Sequence, residues 1–229
     1  MSYLAIIPAR KHSRRLPGKN TAELGGLPLI SWTIKFALGC GEISRIIVST
    51  DDPEILEIAH QFGIDAAKLR PSELAQDSTS TLDVCKYELI SNNINSNDFD
   101  GFIILQPTSP FRSKRTLSEA ITVFIKSDKQ LVVSVKQNEI PRSWLIKKER
   151  ESVLFAKQFA SDPMEKEIYL NVPNGNLYIA SYSHIVTSYE LYTDTFQIVK
   201  SSSLFEDIDI DYEEDLEFAR KICEKFVGL

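Results

Sequence analysis

The sequence predicts an α/β fold in which a mostly parallel sheet is covered by helices on both faces. Short apolar runs that are typical of buried strands alternate along the chain with longer amphipathic segments that are typical of helices. Parallel strands need such crossover segments, which then pack against the two faces of one sheet. The chain of 229 residues has no internal repeat and no low-complexity linker. We therefore predict a single domain over residues 1–229.

Strands are predicted where a short apolar run stops at a proline, a glycine or a polar turn. These runs occupy residues 4–7, 45–50, 101–105, 131–135 and 175–180. Helices are predicted where a capping residue or a proline precedes an apolar stripe. These residues are Pro28 before 29–38, Asp52 before a helix from 53, Ser80 before a helix from 81, and Ser113 before 114–126. A final amphipathic helix is predicted over residues 213–227.

The alternation breaks down between about residues 136 and 173. This stretch consists of short, alternating, polar segments without a helical period. We interpret it as a hairpin-rich insertion into the α/β domain.

Composition and charge narrow the function classes. A net charge of −6 argues against nucleic acid as a partner, because phosphate backbones bind basic surfaces. Cys40, Cys85 and Cys223 are isolated in the sequence, which is typical of buried thiols in a reducing compartment. No apolar run approaches the ~18 residues of a membrane helix, and the first residues lack the basic flank of a signal peptide. We therefore expect a cytoplasmic protein with no membrane partner.

A basic loop follows the first predicted strand. Arg10, Lys11, Arg14, Arg15 and Lys19 place five cations within ten residues of an acidic chain. In an open α/β sheet this loop lies at the carboxyl edge of the strands, where ligands bind. Arginine forks and a lysine charge are suited to phosphate, although a solvated basic loop is the alternative. The loop matches neither GxxxxGK[ST] nor GxGxxG, so side chains rather than a glycine turn would hold the phosphates.

Carboxylates and isoleucines alternate near the end of the chain, from Glu206 to Asp211. On a strand, this period places Asp207, Asp209 and Asp211 on one face. Such a face suits Mg²⁺, which one or two carboxylates and substrate phosphates usually hold. An exposed acidic edge strand explains the same pattern, and spacing alone does not separate the two interpretations.

Seven blocks of this sequence, in order along nearly the whole chain, resemble the CMP-sialic acid synthetase family (acylneuraminate cytidylyltransferases). They are residues 7–20, 29–33, 45–51, 69–75, 105–112, 173–179 and 208–211. The resemblance implies a Rossmann-like nucleotidyltransferase sheet. It also implies transfer of CMP from CTP to an acidic 2-keto-3-deoxy sugar, with release of pyrophosphate. The acceptor would be sialic acid or a relative such as legionaminic acid.

The resemblance also implies roles for individual residues. Catalysis would depend on Lys19, Arg10 and Asp211, and Mg²⁺ would be held by Asp209 and Asp211. The nucleotide would be bound by Ala9, Arg10, Ser13, Arg14, Lys19, Asn20, Arg70, Thr79, Thr81 and Gln106. The family usually has lysine at position 14, and alanine or serine at positions 79 and 81, so these positions are conservative departures.

The insertion at about 136–173 would form the sugar site and the interface of a homodimer, by the same resemblance. Many sialic acid enzymes have arginine before the Pro-Asn-Gly element, where this chain has Val172. The candidates for binding the sugar carboxylate are Arg142, Lys147 and Lys148. Those for the dimer contact are Trp144, Leu145 and Ile146, and a lid over the pocket of the same chain is the alternative for these three residues.

Three alternatives stay open from the sequence. A Kdo cytidylyltransferase would share the string from Arg15 to Lys19, although residues 106–110 fit the sialic acid branch better. A metal-dependent glycosyltransferase would use a nucleotide sugar, but its acidic pair normally lies mid-chain. A non-catalytic nucleotide-binding module would need the basic loop and not the late aspartates.

Overall fold

Apolar runs and capped amphipathic segments form the strands and helices of the protein. A computed structural model describes residues 1–64, 69–141, 146–149, 152–155 and 167–226. The described strands are β1 (Tyr3–Pro8), β2 (Glu23–Leu24), β3 (Leu27–Pro28), β4 (Ile43–Ser49), β5 (Gly101–Ile104), β6 (Val132–Pro141), β7 (Ile146–Glu149), β8 (Ser152–Phe155), β9 (Glu167–Ala180) and β10 (Gln197–Lys200). The described helices are α1 (Leu29–Leu38), α2 (Pro53–Gln61), α3 (Thr81–Ser91), α4 (Lys114–Lys126), α5 (Tyr182–Thr187) and α6 (Glu213–Phe226).

The central sheet has six strands in the order β10-β6-β9-β5-β1-β4. Strand β1 runs parallel to both β4 and β5, and β10 runs parallel to β6. Strand β9 is antiparallel to its neighbours β5 and β6. The prediction of a mostly parallel sheet is confirmed, but the sequence pattern predicted neither the antiparallel direction of β9 nor the presence of β10.

The helices cover both faces of the sheet, as predicted. Alternate residues of β1 point to opposite faces, so Ala5 and Ile7 contribute to one core and Leu4 and Ile6 to the other. Helices α1, α2 and α4 pack on the first face, and α3 and α5 pack on the second. A third apolar cluster joins α6 to the chain around β2 and the start of α1.

Side-chain caps begin the helices at the predicted positions. The side chain of Asp52 accepts a hydrogen bond from the backbone N–H of Glu54 at the start of α2. Ser80 and Ser113 accept backbone N–H groups in the same way at the starts of α3 and α4. These caps satisfy donors that have no partner inside the helix, so the sequence positions of the helix starts are well determined.

The insertion is an extension of the sheet. Strands β6 and β9 continue as an antiparallel pair, with Lys136 opposite Val172 and Pro141 opposite Glu167. A second hairpin pairs β7 with β8. The described residues between 136 and 173 therefore show the hairpin-rich character that the sequence predicts. Outside the described part of the chain lie Arg142, Trp144 and Leu145, together with the side chains of Ile146, Lys147 and Lys148.

The late acidic segment is not the strand that its period of two predicts. Residues Leu204–Asp207 form a 3₁₀ turn, which begins at Ser203 where the side chain accepts the N–H of Phe205. The chain then runs extended without joining the sheet, and the N–H of Ile210 donates to the carbonyl of Thr108 at 2.8 Å. The turn separates Asp207 from the two aspartates that follow it.

Among the described helices, none combines the length and apolar character that crossing a membrane requires.

Candidate active site

The basic loop after β1 folds back on itself. Gly18 adopts a positive φ of 70°, a conformation that costs glycine little, and it precedes a 3₁₀ turn over Lys19–Thr21. Lys19 and Asn20 are buried at the start of this turn. The side-chain amide of Asn20 donates to the carbonyl of Arg10 at 3.0 Å. The end of the loop is therefore folded into the protein, whereas Lys11, Arg14 and Arg15 are exposed to solvent.

A pocket of about 630 Å³ opens beside this loop. It lies at the carboxyl ends of β1 and β5, the edge where α/β sheets bind ligands. Most of the residues predicted for the nucleotide and the metal line it: Arg10, Ser13, Arg14, Lys19, Asn20, Arg70, Thr79, Thr81, Gln106, Asp209 and Asp211. Ala9, whose backbone the resemblance places close to the base, is not among the lining residues, and its side chain is buried in the core.

The N-terminal loop and the late aspartates meet in this pocket. Lys19 Nζ lies 3.0 Å from Asp211 Oδ1, and Arg15 Nη2 lies 2.8 Å from Asp211 Oδ2. Lys19 and Asp211 are 192 positions apart in the sequence, and both side chains are largely shielded from solvent. Such a pair is electrostatically stronger than an exposed one.

Asp209 lies beside Asp211 and is accessible to solvent through the mouth of the pocket. The protein atoms around it raise the pKa of its carboxyl group by desolvation, which is the largest effect. A hydrogen bond with Thr108 and the charges of Lys19 and Arg15 lower the pKa, whereas Asp211 raises it. A cation bound by the two carboxylates would offset both their mutual repulsion and the cost of desolvating the Asp209 charge.

Asp207, by contrast, belongs to a polar network outside the pocket lining. Its Oδ1 accepts hydrogen bonds from Asn174 Nδ2 at 2.9 Å and from Ser201 Oγ at 2.7 Å. Asn174 Oδ1 in turn accepts from the buried Ser134 hydroxyl. The interpretation that placed three aspartates on one face is wrong for Asp207, whose role is to hold the chain near Asn174.

Two residues lie against Gln106: Arg112 contacts its backbone carbonyl, and Gly175 lies beside its side chain. The half-buried guanidinium of Arg112 donates to the carbonyls of Gln106 and Asn176 and to the Thr33 hydroxyl. Gly175 has a φ of +71°, and a Cβ added there would lie 2.7 Å from Gln106 Oε1. The Pro-Asn-Gly element is therefore in close contact with the Gln106 side chain, which would have to shift to accommodate a larger residue at position 175.

We expect Gly175→Ala to raise the KM for CTP at least severalfold, because the new methyl group must displace the Gln106 amide. Steady-state kinetics with CTP as the varied substrate checks this. Gly26→Ala is the matched control, because Gly26 also has a positive φ (+76°) but has no atom within 4 Å of an added Cβ. Equal KM values in the two variants would contradict the role assigned to this contact.

Arg70 is the most enclosed cation of the pocket. Its side chain is 3% exposed, its Nη2 lies 3.6 Å from Asp51 Oδ1, and burial lowers its pKa. Its Nε has no hydrogen-bond partner among the described residues. A buried donor left unpaired is costly, and Arg70 is one of the residues that line the pocket.

Sequence reasoning missed part of the lining. Arg15 was recognised as one of the loop cations but received no role, and it also lies over the Tyr212 ring at 5.4 Å. Asp77 pairs with two of the loop arginines, and nothing in its neighbourhood of mixed polar residues marked it out. Thr108 forms a hydrogen bond with Asp209. It lies within residues 105–112, a block of the family resemblance, and this position was the signal that could have identified it.

A Rossmann-like sheet with a cationic pocket at its carboxyl edge is the architecture of a nucleotide-binding α/β protein. The cytidylyltransferase family model matches residues 4–227, and the chain belongs to that family. It is 35% identical to the CMP-N,N'-diacetyllegionaminic acid synthase of Legionella pneumophila, over 98% of this chain and 97% of that protein. It is also 35% identical to the N-acylneuraminate cytidylyltransferase of Escherichia coli, over 97% of this chain and 52% of that protein.

The fold is also found among solved structures. The CMP:2-keto-3-deoxy-manno-octonic acid synthetase complexed with CTP superposes with a TM-score of 0.71, over 98% of this chain and 99% of that one. Sequence identity between the two chains is 16%, so this likeness concerns the fold alone.

Proposed function

We propose that this protein transfers CMP from CTP to an acidic 2-keto-3-deoxy sugar and releases pyrophosphate. The observation that carries the proposal is the Lys19–Asp211 contact, which joins a phosphate-binding loop to a carboxylate pair inside one pocket. The names of the Legionella and Escherichia relatives, which are similar over nearly all of this chain, support the same reaction.

The charges of the pocket suggest how the nucleotide is oriented. Arg10, Arg14 and Lys19 provide the cations for the triphosphate, as the resemblance implies. Arg70, Gln106 and the threonines at positions 79 and 81 line the same pocket and would surround the cytidine. Side chains fixed in advance stabilise charge that develops during the reaction without having to reorganise.

Asp209 and Asp211 fit the requirements of a Mg²⁺ site. Within the described residues, no group of three or more His, Cys, Asp or Glu side chains is arranged to hold a metal. Two carboxylates beside a phosphate-binding loop are nevertheless the set that Mg²⁺ commonly uses, with phosphate oxygens completing its coordination. Bound Mg²⁺ would neutralise charge on the phosphate oxygens.

In the proposed reaction, the anomeric hydroxyl of the sugar releases its proton to solvent, and its oxygen forms a bond to the α-phosphorus of CTP. The bond from that phosphorus to the bridging oxygen breaks, and pyrophosphate leaves with the electron pair. Alignment and charge neutralisation are the main demands of such a step. Lys19 and Arg10 would stabilise the negative charge that grows on the departing phosphates.

The sugar site is proposed to lie where the β6–β9 extension leaves the sheet. Leu170 and Val172 are 39% and 50% exposed on β9, two residues apart and so on one side of the strand.

The exposure of these two apolar residues also supports the proposal that the insertion forms the interface of a homodimer. Sedimentation velocity at several protein concentrations tests this proposal. Buried free cysteines support a cytoplasmic location, where thiols stay reduced.

Pyrophosphate release from CTP with a panel of acidic sugars tests the proposed function. We expect release with legionaminic, sialic or a related nonulosonic acid, and the most efficient sugar identifies the acceptor. Release with Kdo alone would favour a Kdo cytidylyltransferase. Hydrolysis of a nucleotide sugar without use of CTP would favour a glycosyltransferase. CTP binding without turnover of any sugar would indicate a non-catalytic nucleotide-binding module.

A further inference from the structure

We propose that Asp77 is an internal counter-anion, which occupies the phosphate-binding arginines in the ligand-free protein and which the triphosphate displaces. The inference rests on the proposed function in one respect, namely that Arg10 and Arg14 bind the phosphates of CTP. Asp77 then sets the affinity for the nucleotide, although it makes no contact with the reacting atoms.

Asp77 bridges the two arginines with both of its carboxylate oxygens. Arg10 Nη1 lies 2.5 Å from Oδ1, and Arg14 Nε lies 3.3 Å from Oδ2. All three side chains line the pocket. A carboxylate that accepts one N–H from each of two arginines uses the donors that a phosphate group would use.

Asp211 pairs with cations in the same manner, since its two oxygens contact Lys19 and Arg15. The two carboxylates therefore divide four cations of the basic loop between them. Asp211 has another partner in the proposed function, because it would hold Mg²⁺ when CTP binds. Asp77 lines the same pocket as Arg10 and Arg14, so a triphosphate bound to these arginines leaves the Asp77 carboxylate facing a like charge.

The loop that carries Asp77 does not depend on the Asp77 side chain. The backbone N–H of Thr79 donates to the carbonyl of Gln76, and the Thr79 hydroxyl donates to the carbonyl of Glu73. The Gln76 amide donates to the carbonyl of Ser72. The Asp77 side chain is 47% exposed, so it can turn into solvent while these bonds persist.

The cost of displacing Asp77 is modest, because exposed ion pairs are weak. Arg14 is 79% exposed and Arg10 is 35% exposed on their side chains. Losing two pairs of this kind lowers ligand affinity by roughly three- to tenfold. Removing the charge of Asp77 should therefore raise the affinity for the ligand by the same factor.

Calorimetric titration of Asp77→Asn and Asp77→Ala with CTP, pyrophosphate and cytidine tests the inference, in buffer containing EDTA. We expect both variants to bind CTP and pyrophosphate roughly three- to tenfold more tightly than the wild type, with cytidine binding unchanged. Glu73→Gln is the matched control, since it removes one negative charge from the same segment at an exposed position outside the pocket lining. Its affinities should equal those of the wild type.

Equal or weaker pyrophosphate binding by both Asp77 variants, with thermal unfolding unchanged, would overturn the inference and make Asp77 an anchor that positions the arginines. Tighter binding by Glu73→Gln as well would also overturn it, because the effect would then be one of net charge. Failure of the proposed function is a separate result: the wild type would release no pyrophosphate with any acidic sugar, while the pyrophosphate affinities of the variants would still decide the role of Asp77.

Discussion

Replacing Lys19 with alanine is expected to lower kcat by about 10²–10³-fold, the loss typical of one preorganised group that stabilises developing charge. The Lys19 side chain is 10% exposed and lies against Asp211 in the pocket, so solvent cannot supply a replacement cation at the same place. Pyrophosphate release at saturating CTP and sugar measures the change. The free energy of unfolding should fall little, because Asp211 retains its contact with Arg15.

Lys11→Ala is the control for Lys19→Ala. Lys11 belongs to the same loop and carries the same charge, but it is exposed and does not line the pocket. We expect its kcat to stay close to that of the wild type. A defect in Lys19→Ala confined to the KM of the sugar would show that Lys19 binds the acceptor instead of the phosphates.

Asp211→Ala is expected to lower turnover by about a thousandfold or more, since the charge stabilisation that a bound metal supplies is worth several kcal/mol. The dependence of the rate on magnesium concentration should be lost together with the activity. CTP binding without metal should be retained, because Lys19 and Arg15 no longer have a competing carboxylate. Turnover at varied magnesium and CTP titration in EDTA measure the two effects.

Glu214→Gln provides the comparison for Asp211→Ala, since Glu214 is an exposed acid in the first turn of α6. Its magnesium dependence should match that of the wild type. Near-normal turnover of Asp211→Ala at saturating magnesium would remove Asp211 from the proposed metal site.

The helices and parallel strands were predictable because local signals determine them. Asp52, Ser80 and Ser113 cap helices whose apolar stripes repeat at the helical period. The direction of β9 was not predictable, because an apolar run has the same appearance in a parallel and an antiparallel strand. Strand β10 escaped prediction because only Val199 of its four residues is buried.

The convergence of the basic loop with Asp209 and Asp211 was predictable from the ordered blocks of the resemblance. The wrong strand assignment near residues 207–211 did not separate the two aspartates that we propose bind Mg²⁺, because the chain becomes extended at Ile208, after the 3₁₀ turn. Ile210 is buried in the α6 cluster, while the aspartates on either side line the pocket. Asp77 could not be found in this way, since its partners are determined by how two loops approach each other and not by any local period.

The contact between Lys19 and Asp211 has a consequence for the order of events during synthesis. The polypeptide must emerge past position 211 before the two halves of the pocket can meet, and α6 must then dock on the cluster around Leu24 and Leu29. Contacts between such distant positions form late, because closing a long loop costs entropy before it yields any interaction. A ribosome-bound chain that lacks this last segment would expose Lys19 and Arg15 to cellular anions without Asp211, the carboxylate that pairs with both.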